Sequence, residues 1–341
     1  MSELPDSRPE AAEIQRTGIL FSGIQPSGNI HIGNYCGAIR NWVRLLDDYH
    51  CIFSIVDYHA ITAPYDPSIM QARIRQATLA NIAAGLDPER CLIFVQSQVP
   101  EHTELTWIFN TLTPMGLLGR MTQFKEKSRR SEENINVGLY DYPVLQAADV
   151  LLYRAEAVPV GEDQVQHIEF TRDLARKFNL RFEPYFPEPQ ALVPSSGARI
   201  LGLDGKSKMS KSLDNYIGLL EEPEAIWEKL RPAVTDEKRI RRSDPGEPGD
   251  CNIYTIHQCF SPPEVQEWVV DGCRSAGIGC IDCKRKLHEH MMNVLDPIRE
   301  RAKELERKPE VVDEALARGA RECRVRAAAT MEDVRRITGL R

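Results

Sequence analysis

Two short motifs in this chain carry residue types that suit a nucleoside triphosphate. The first, Pro26-Ser-Gly-Asn-Ile-His-Ile-Gly-Asn34, places His31 and Asn34 around Gly33. A turn with so little side-chain bulk lets phosphate meet backbone N–H groups at the positive end of a helix. The second, Lys206-Ser-Lys-Met-Ser-Lys-Ser212, holds three lysines in a polar loop, and mobile positive charge suits a pyrophosphate leaving group. Together, in this order, the motifs predict ATP-dependent chemistry.

A third segment of interest is mainly apolar but contains three polar residues: Tyr142-Pro-Val-Leu-Gln-Ala-Ala-Asp149. Helical geometry puts Tyr142, Gln146 and Asp149 on one face, and Pro143 is typical of the first turn of a helix. The apolar neighbours predict that Asp149 is buried. A buried carboxylate needs a hydrogen-bond donor, and an indole N–H or a phenol O–H of a substrate would serve. The alternative interpretation is a polar stripe on the surface.

The segment Val158-Pro-Val-Gly-Glu-Asp-Gln164 places acids and an amide before a helix with apolar residues at Val165, Ile168 and Leu174. Acidic residues at a helix N-terminus are commonly caps. They are equally suited to hold ribose hydroxyls and an α-amino group.

Four of the nine cysteines have a spacing of their own. Cys251, Cys273, Cys280 and Cys283 form the pattern Cys-x21-Cys-x6-Cys-x2-Cys. In a cytoplasmic protein this favours a metal site over disulfides. Four thiolates suit a structural Zn²⁺ or a [4Fe–4S] cluster, and the spacing alone favours zinc. Four unliganded thiols are the alternative. Each of the remaining cysteines is expected to be a buried, small apolar residue: Cys36, Cys51, Cys91, Cys259 and Cys323.

These residues need a framework to hold them. In 341 residues, with 42% hydrophobic and 27% charged residues, two domains are expected. Short apolar runs at residues 18–23, 51–56 and 91–95 alternate with helical patterns such as Tyr35, Ile39, Val43 and Leu46, which predicts a parallel sheet wound with helices. After Ser212 the chain is rich in charge, and from residue 262 onward almost all of it has a helical pattern. A helical second domain is expected to begin near residue 217.

Charge and hydropathy narrow the functional classes. The net charge of −7 argues against extensive coating by nucleic acid, although local basic patches would suffice for an RNA partner. Candidate patches are Lys125, Lys127, Arg129 and Arg130, then residues 238–242, and then residues 284–286. The first sixteen residues have neither the apolar run of a signal peptide nor the composition of a transit peptide. No stretch is apolar enough to span a bilayer, so a cytoplasmic protein without membrane contact is expected.

The chain resembles the bacterial-type tryptophanyl-tRNA synthetases, which are class I aminoacyl-tRNA synthetases. The likeness runs from Gly18 to the C-terminus and rests on the segments 21–28, 56–62, 121–128, 142–149, 160–167 and 208–212. It implies an α/β fold with a Rossmann-like catalytic domain over residues 17–216 and an inserted dimerisation and substrate segment at about 115–180. It further implies an all-helical anticodon-binding domain over residues 217–341, with the last helix packing back on the catalytic domain. Residues 1–16 would be a flexible tail.

The resemblance also implies the reaction: tryptophan and ATP with Mg²⁺ form tryptophanyl-adenylate, and the tryptophanyl group passes to tRNA(Trp) on a homodimeric enzyme. It implies ATP contacts at Gln25, His31, Gly33, Asn34, Gly161, Asp163, Lys208, Met209, Ser210 and Lys211. Catalysis would rest on Gln25, Lys127, Lys208 and Lys211. Tryptophan contacts would be Phe21, Gly23, His59, Tyr142, Gln146, Asp149, Val158, Val160 and Gln164, with Asp149 accepting the indole N–H. A subset of the family has an iron–sulfur cluster on nearly the cysteine pattern seen here, so the resemblance implies a [4Fe–4S] cluster, with Zn²⁺ as the alternative.

Three alternatives stay open at this point. Gln146 stands where many family members have methionine, and glutamine is common in the related tyrosyl enzymes, so a tyrosyl-tRNA synthetase is the first alternative. A nucleotidylyltransferase that adenylates small acids is the second, although such enzymes generally lack a four-cysteine helical domain. A non-catalytic paralogue that binds tRNA or tryptophan is the third. The intact Asp163, Gln164, Lys208 and Lys211 argue against lost catalysis.

Overall fold

The computed structural model describes residues 16–26, 28–122, 136–194, 200–210 and 213–340. Its centre is a five-stranded parallel sheet in the order β3-β2-β1-β4-β5. The strands are β1 (Ile19–Ile24), β2 (His50–Ile55), β3 (Cys91–Val95), β4 (Ala157–Pro159) and β5 (Gln190–Leu192). The three strands predicted from apolar runs are present within one residue of the expected bounds. The predicted Rossmann-like α/β fold is therefore confirmed.

Helices surround this sheet and, among the described residues, predominate after residue 222. In chain order they are α1 (Ile32–Asn34), α2 (Arg40–Leu45), α3 (Asp57–Ala60), α4 (Met70–Ala83), α5 (Glu101–Asn110), α6 (Met115–Leu118), α7 (Val137–Leu152), α8 (Val165–Arg181), α9 (Pro223–Leu230), α10 (Asn252–Phe260), α11 (Pro263–Arg274), α12 (Cys280–Arg307) and α13 (Pro309–Thr338). Among the described helices, none is both long and apolar enough to cross a membrane.

The strand order explains where a site can form. The chain runs outward from β1 to β2 and β3, then returns to the other side of β1 for β4 and β5. All five residues of β3 are buried, as are five of the six in β2, which is typical of parallel strands covered on both faces. Because the order reverses between β1 and β4, a crevice opens at the carboxyl ends of these two strands.

The first motif leads directly into a helix, as predicted. The Nδ1 atom of His31 accepts a hydrogen bond from the backbone N–H of Asn34 at 3.3 Å, and the Asn34 side-chain oxygen accepts one from the His31 N–H at 3.1 Å. This reciprocal capping box starts α1. A π-helical turn (Tyr35–Ile39) then joins α1 to α2 without a break. Tyr35 and Ile39 are buried against the sheet, as their spacing indicates.

The helix that carries Asp149 begins earlier than its proline indicates. Asn136 caps α7 by accepting a hydrogen bond from the Leu139 N–H at 2.8 Å, so Pro143 lies inside the helix and not in its first turn. The prediction that Pro143 lies in the first helical turn is wrong, because the helix begins at the Asn136 cap, before the apolar segment that starts at Tyr142. Pro143 leaves one intrahelical hydrogen bond unmade, and the packing of α7 against α5 and α8 tolerates this.

The last helix, α13, packs against β3 at the edge of the sheet. Gly319 of α13 approaches the backbone of Ile93 so closely that a Cβ atom there would overlap the Ile93 carbonyl. Farther along, the Arg335 guanidinium donates to both carboxylate oxygens of Glu104 on α5. The C-terminal helix α13 is thus held against both strand β3 and helix α5.

Two of the scattered cysteines are joined. Cys36 in the π-helical turn forms a disulfide with Cys259 in α10, and their Cα atoms are 6.0 Å apart. The expectation that each is simply a buried, small apolar residue is wrong, because the two are bonded to each other and only partly buried. The two residues are 223 positions apart, so only the packing of α10 beside the π-helical turn brings them together. Cys51, Cys91 and Cys323 are buried free thiols, as predicted.

Candidate active site

A cavity of about 410 Å³ lies at the carboxyl ends of β1 and β4. This volume is within the range of small-ligand pockets, about 300–1,000 Å³. Residues predicted from five separate parts of the chain meet on its walls: Phe21, Gly23, Gln25, Asn34, His59, Tyr142, Gln146, Asp149, Val158, Val160, Gly161, Asp163, Gln164 and Lys208. The fold thus brings the first motif, the α7 face and the loop after β4 to one place.

One end of the cavity is apolar. Phe21 from β1 and Val158 from β4 lie side by side on neighbouring strands, and each is only 4% exposed. The Phe21 ring stacks on Tyr153, with centroids 5.5 Å apart and an interplanar angle of 12°, so its position is fixed from behind. A flat aromatic side chain fits a wall of this kind.

Asp149 is the charged residue at that apolar end, and it is 2% exposed. Its Oδ1 accepts hydrogen bonds from Gln96 Nε2 and His102 Nδ1, both at 2.7 Å. Its Oδ2 accepts one from His59 Nε2 at 2.8 Å. The donor required for burial is therefore supplied by the protein itself. The sequence pattern suggested a donor from the substrate, but none is needed for the burial of Asp149.

These contacts determine the charge of Asp149. Burial by itself would raise the pKa of this carboxyl, but the hydrogen bonds from His102 and His59 outweigh burial and hold the pKa below its ordinary value. Asp149 is ionised at neutral pH and acts as an acceptor. The apolar end of the cavity thus carries one fixed negative charge, that of Asp149.

Tyr142 lies one turn of α7 before Gln146. Its hydroxyl is 3.0 Å from Nε2 of His167 on α8. Burial raises the pKa of Tyr142 to about 12, so the side chain remains a neutral phenol. Gln164 lies nearby at the start of α8 and donates to Asp163 at 3.4 Å. Phenol and amide oxygens thus surround the part of the cavity next to the apolar wall.

The first motif reaches the cavity through Asn34, while His31 and Gly33 support the loop behind it. The N–H of Ile32 donates to the Ile217 carbonyl at 3.0 Å, and Leu219 donates back to Ile30 at 2.8 Å. Gly33 lies so close to Met209 that a Cβ at Gly33 would be 3.6 Å from the Met209 Cβ. The two motifs, about 170 residues apart in sequence, are therefore close neighbours, and Ile32 and Met209 belong to the same hydrophobic cluster.

The second motif forms a turn whose ends are held together. Gly202 donates to the Ser207 carbonyl at 2.8 Å, and Asn215 accepts from the Ser210 N–H at 2.8 Å. Met209 is buried, whereas the Lys208 side chain is exposed and lines the cavity. Met209 and Ser210 support the turn and do not line the cavity. Lys127 and Lys211 lie outside the described residues.

Several residues at this site were not predicted. Trp42 and Ala38 line the cavity from α2 and the turn before it, and they follow Asn34 at helical spacing. Gln96 and His102 hold Asp149 from behind. Both follow β3, and residues at the carboxyl end of a parallel strand reach the crevice, so this position was a signal for them.

The four cysteines of the spaced pattern line a separate cavity: Cys251, Cys273, Cys280 and Cys283. Arg239 donates to the Cys273 sulfur at 3.8 Å. Burial raises the pKa of Cys283 to about 12. Among the residues that the structure describes, no group of three or more His, Cys, Asp or Glu side chains is arranged so that it could hold a metal ion.

The basic segment after Cys283 differs from its expected form. Lys284 is 4% exposed, and its Nζ donates to the carbonyls of Arg231 and Ala233. It therefore fixes the end of α9 and is not part of a basic surface. Arg285 is exposed, and Lys286 pairs with Glu289 at 3.0 Å. The patch at Lys125, Arg129 and Arg130 lies outside the described residues.

Comparison with known proteins agrees with this geometry. The family model "tRNA synthetases class I (W and Y)" matches residues 13–296. A tryptophan–tRNA ligase of Deinococcus radiodurans is 52% identical over 324 residues, covering 94% of this chain and 98% of that protein. One of Thermotoga maritima is 42% identical over 326 residues, covering 94% and 99%.

Solved structures give the same result. The tryptophanyl-tRNA synthetase of Campylobacter jejuni, crystallised with ADP and tryptophan, superimposes with a TM-score of 0.82 at 35% identity. The match covers 94% of this chain and 99% of that chain. The family predicted from the sequence motifs is confirmed: the chain belongs to the bacterial tryptophanyl-tRNA synthetases, within the class I tRNA synthetases for tryptophan and tyrosine.

Proposed function

We propose that this chain activates L-tryptophan with ATP and Mg²⁺ to form tryptophanyl-adenylate and pyrophosphate, and then transfers the tryptophanyl group to tRNA(Trp) with release of AMP. The observation that carries this proposal is the ionised Asp149 in an apolar wall, in one cavity with Asn34 and Lys208 of the two motifs. The first feature suits an indole with one N–H, and the second suits a triphosphate.

On the tryptophan side, Asp149 accepts the indole N–H, while Tyr142 and Gln164 hold the α-ammonium. The ring lies against the apolar wall and beside Gln146 and His59. The residues that form this wall are Phe21, Gly23, Val158 and Val160. A site that hydrogen-bonds its substrate rejects analogues lacking the matching group, because its own polar group is then left unpaired.

On the ATP side, Gln25, His31 and Asn34 meet the phosphates, and Gly33 leaves room for adenine and ribose. Gly161 and Asp163, both exposed at the cavity mouth, hold the ribose. Lys208 neutralises the triphosphate, and we assign the same role to Lys127 and Lys211, with Met209 and Ser210 shaping the loop. Mg²⁺ bound together with ATP would help to neutralise the charge of the phosphates.

The chemistry follows from this arrangement. The tryptophan carboxylate attacks the α-phosphorus in line, the bond to the pyrophosphate oxygen breaks, and the lysines stabilise the charge on the leaving group. A tRNA hydroxyl then attacks the aminoacyl carbonyl and AMP leaves. No covalent bond to the enzyme forms, so the rate comes from positioning and electrostatic stabilisation.

The test is amino-acid-dependent ATP–pyrophosphate exchange, comparing tryptophan with tyrosine. We expect exchange with tryptophan, its loss in Lys208→Ala, and little exchange with tyrosine. Exchange with tyrosine in place of tryptophan would favour the tyrosyl alternative, for which Gln146 is the supporting residue. No exchange with either amino acid, together with tRNA or tryptophan binding, would favour the non-catalytic paralogue.

We further propose that Cys251, Cys273, Cys280 and Cys283 hold a [4Fe–4S] cluster, with Zn²⁺ as the alternative. The support is the donor set, since four cysteines from three neighbouring segments line one cavity, and soft thiolates select iron–sulfur clusters or zinc. Burial keeps Cys283 protonated at neutral pH, and a bound metal would remove this proton. The cluster would brace the helical domain near Arg285.

Anaerobically purified protein separates these alternatives. A cluster predicts iron and inorganic sulfide with a visible absorption band, whereas zinc predicts one colourless ion per chain. Cys280→Ala should lose the metal, and Cys91→Ala, a buried cysteine outside this cavity, should keep it. Metal-free wild-type protein would contradict both assignments.

We propose a homodimer that forms through the segment at about 115–180. Met115 and Val137 are 74% and 80% exposed there, and exposed apolar side chains of this size commonly mark an interface. Light scattering should give twice the chain mass for the wild type and a lower mass for Met115→Lys. The control is Ile240→Lys, at a site that is 86% exposed in the C-terminal part of the chain. A monomeric wild type would contradict the assignment.

The proposed division of the chain is a tail over residues 1–16, a catalytic domain over 17–216 and an anticodon-binding domain over 217–341. It is supported by the elements, since the five strands that the structure describes precede residue 193 and the described residues after 222 are mainly helical. Because tRNA charging occurs where translation occurs, we place the enzyme in the cytoplasm.

A further inference from the structure

We infer that His102, which does not line the cavity, positions Asp149 for the indole N–H and thereby sets the preference for tryptophan over ligands of the same shape that lack this hydrogen. The inference rests on the proposed function, because it needs tryptophan as the substrate. It assigns to His102 a positioning role and no contact with substrate.

The geometry places His102 on the far side of the carboxylate. His59 and Asp149 line the cavity, whereas Gln96 and His102 are fully buried behind it. The His102 ring stacks on Phe94 of β3, with centroids 5.8 Å apart. The imidazole is therefore held in a fixed plane, with Nδ1 2.7 Å from Asp149 Oδ1.

The acceptor sites of Asp149 can be counted. An ionised carboxylate has about four lone-pair sites, two on each oxygen. Gln96 and His102 use both sites on Oδ1, and His59 uses one on Oδ2. One site on Oδ2 remains, and this is the oxygen shared with the cavity residue His59. A single N–H donor from a ligand completes the set.

The two ring nitrogens of His102 have different partners. Nε2 of His102 is 2.8 Å from the Tyr153 hydroxyl. A carboxylate accepts only, so Nδ1 carries the hydrogen, and in the neutral ring Nε2 then accepts the Tyr153 proton. Tyr153 is itself held by stacking on Phe21, the residue that forms the apolar wall. Phe21 of the apolar wall and the acceptor Asp149 are thus linked through the buried contacts of Tyr153 and His102.

Removal of His102 should therefore weaken the contact that Asp149 makes with the indole N–H of the ligand. Without its Nδ1–H, Asp149 keeps two donors and can rotate, so the free site on Oδ2 no longer points into the cavity at a fixed angle. The loss should fall on ligands that donate to this site. A ligand with the same ring shape and no N–H should be affected much less.

The experiment compares the dissociation constants of L-tryptophan and of the analogue in which sulfur replaces the indole N–H, using the full-length protein. The variants are His102→Leu, which removes the donor, and His102→Asn, whose amide N–H can replace Nδ1–H. We expect His102→Leu to lower the preference for tryptophan over the analogue by about ten- to hundredfold, the value of a hydrogen bond to a charged group. His102→Asn should restore most of that preference.

Equal weakening of both ligands in His102→Leu would show a merely structural role and overturn the inference, as would an unchanged preference. If His102→Leu does not fold, Tyr153→Phe replaces it. This variant keeps the stacked ring, removes the donor to Nε2, and should lower the preference about two- to tenfold. Failure of the wild type to bind tryptophan would refute the proposed function, whereas wild-type binding with an unchanged variant preference would refute this inference alone.

Discussion

Nε2 of His59 lies 2.8 Å from Oδ2 of Asp149, and both side chains line the same cavity. His59 thus holds the carboxylate from the ligand side, while Gln96 and His102 hold it from behind. Three donors around one ionised carboxylate keep it fixed before any ligand enters. Pre-organisation of this kind lowers the cost of binding, because the site does not have to rearrange.

Asp149→Asn should lower kcat/KM for tryptophan by about 100-fold or more. The asparagine NH₂ group would face donors such as His59 or His102 and leave a buried N–H without an acceptor. Its amide oxygen is also a weaker acceptor for the substrate than a carboxylate. Tryptophan-dependent ATP–pyrophosphate exchange measures this. Asp141→Asn, on the same helix but outside the cavity lining, should stay within about twofold of wild type. An Asp149→Asn enzyme with near-normal kcat/KM would show that the carboxylate does not contact the substrate.

The same carboxyl should make folding stability depend on pH only in acid. Its hydrogen bonds hold the pKa of Asp149 in the folded protein below the ordinary value of about 3.9. The stabilisation is complete above that value and is lost as pH falls through the folded-state pKa. The difference in unfolding free energy between wild type and Asp149→Asn, from urea titrations, should be constant between pH 8 and pH 5 and shrink below about pH 4. A difference that does not shrink below about pH 4 would contradict the lowered pKa of Asp149.

Gln146→Met should change selectivity among tryptophan analogues. Gln146 lines the cavity one helical turn from Tyr142, and methionine would replace its amide with a polarizable apolar side chain. Analogues with an apolar group on the six-membered ring should inhibit the variant about four- to fifteenfold more strongly, the effect of one or two buried methylene groups. Inhibition constants in the exchange assay test this. Identical constants before and after the substitution would show that Gln146 does not face the ring.

The disulfide between Cys36 and Cys259 should stabilise the protein in oxidising solution. It ties the turn after the first motif to α10, and cross-links of this kind are worth about 2–4 kcal/mol. A reducing agent should lower the midpoint of thermal unfolding of the wild type and leave Cys36→Ser unchanged. Peptide mapping without reduction should recover the linked pair. Two free thiols in air-oxidised protein would contradict the pairing.

Gly319→Ala should destabilise the protein by about 1–3 kcal/mol, because the new methyl group meets the Ile93 backbone and α13 has to move away from β3. Chemical unfolding measures the change. Gly116→Ala is the matched control, since Gly116 also lies in a helix and has no atom within 4 Å of a new Cβ. The control should be neutral or slightly stabilising. Equal effects of the two substitutions would show that α13 does not approach β3 this closely.

The sequence by itself determined the parallel α/β fold, three of its strands, the helical C-terminal part and the family. These depend on local pattern: apolar runs of strand length, helical spacing, and motifs such as His31 to Asn34 whose residues are neighbours in the chain. The shared face of Tyr142, Gln146 and Asp149 follows from helix geometry in the same way. Such features need no knowledge of what packs against them.

Only the tertiary structure decided which distant residues meet. Gln96, His102 and His59 come from three elements to hold Asp149, and Cys36 meets Cys259 across 223 positions. Lys284 appears basic and exposed in sequence, yet it is buried beneath the end of α9. The physical reason is that donors, sulfur partners and burial are set by the packing of separate elements, and no periodicity within one segment records what lies on the other side of it.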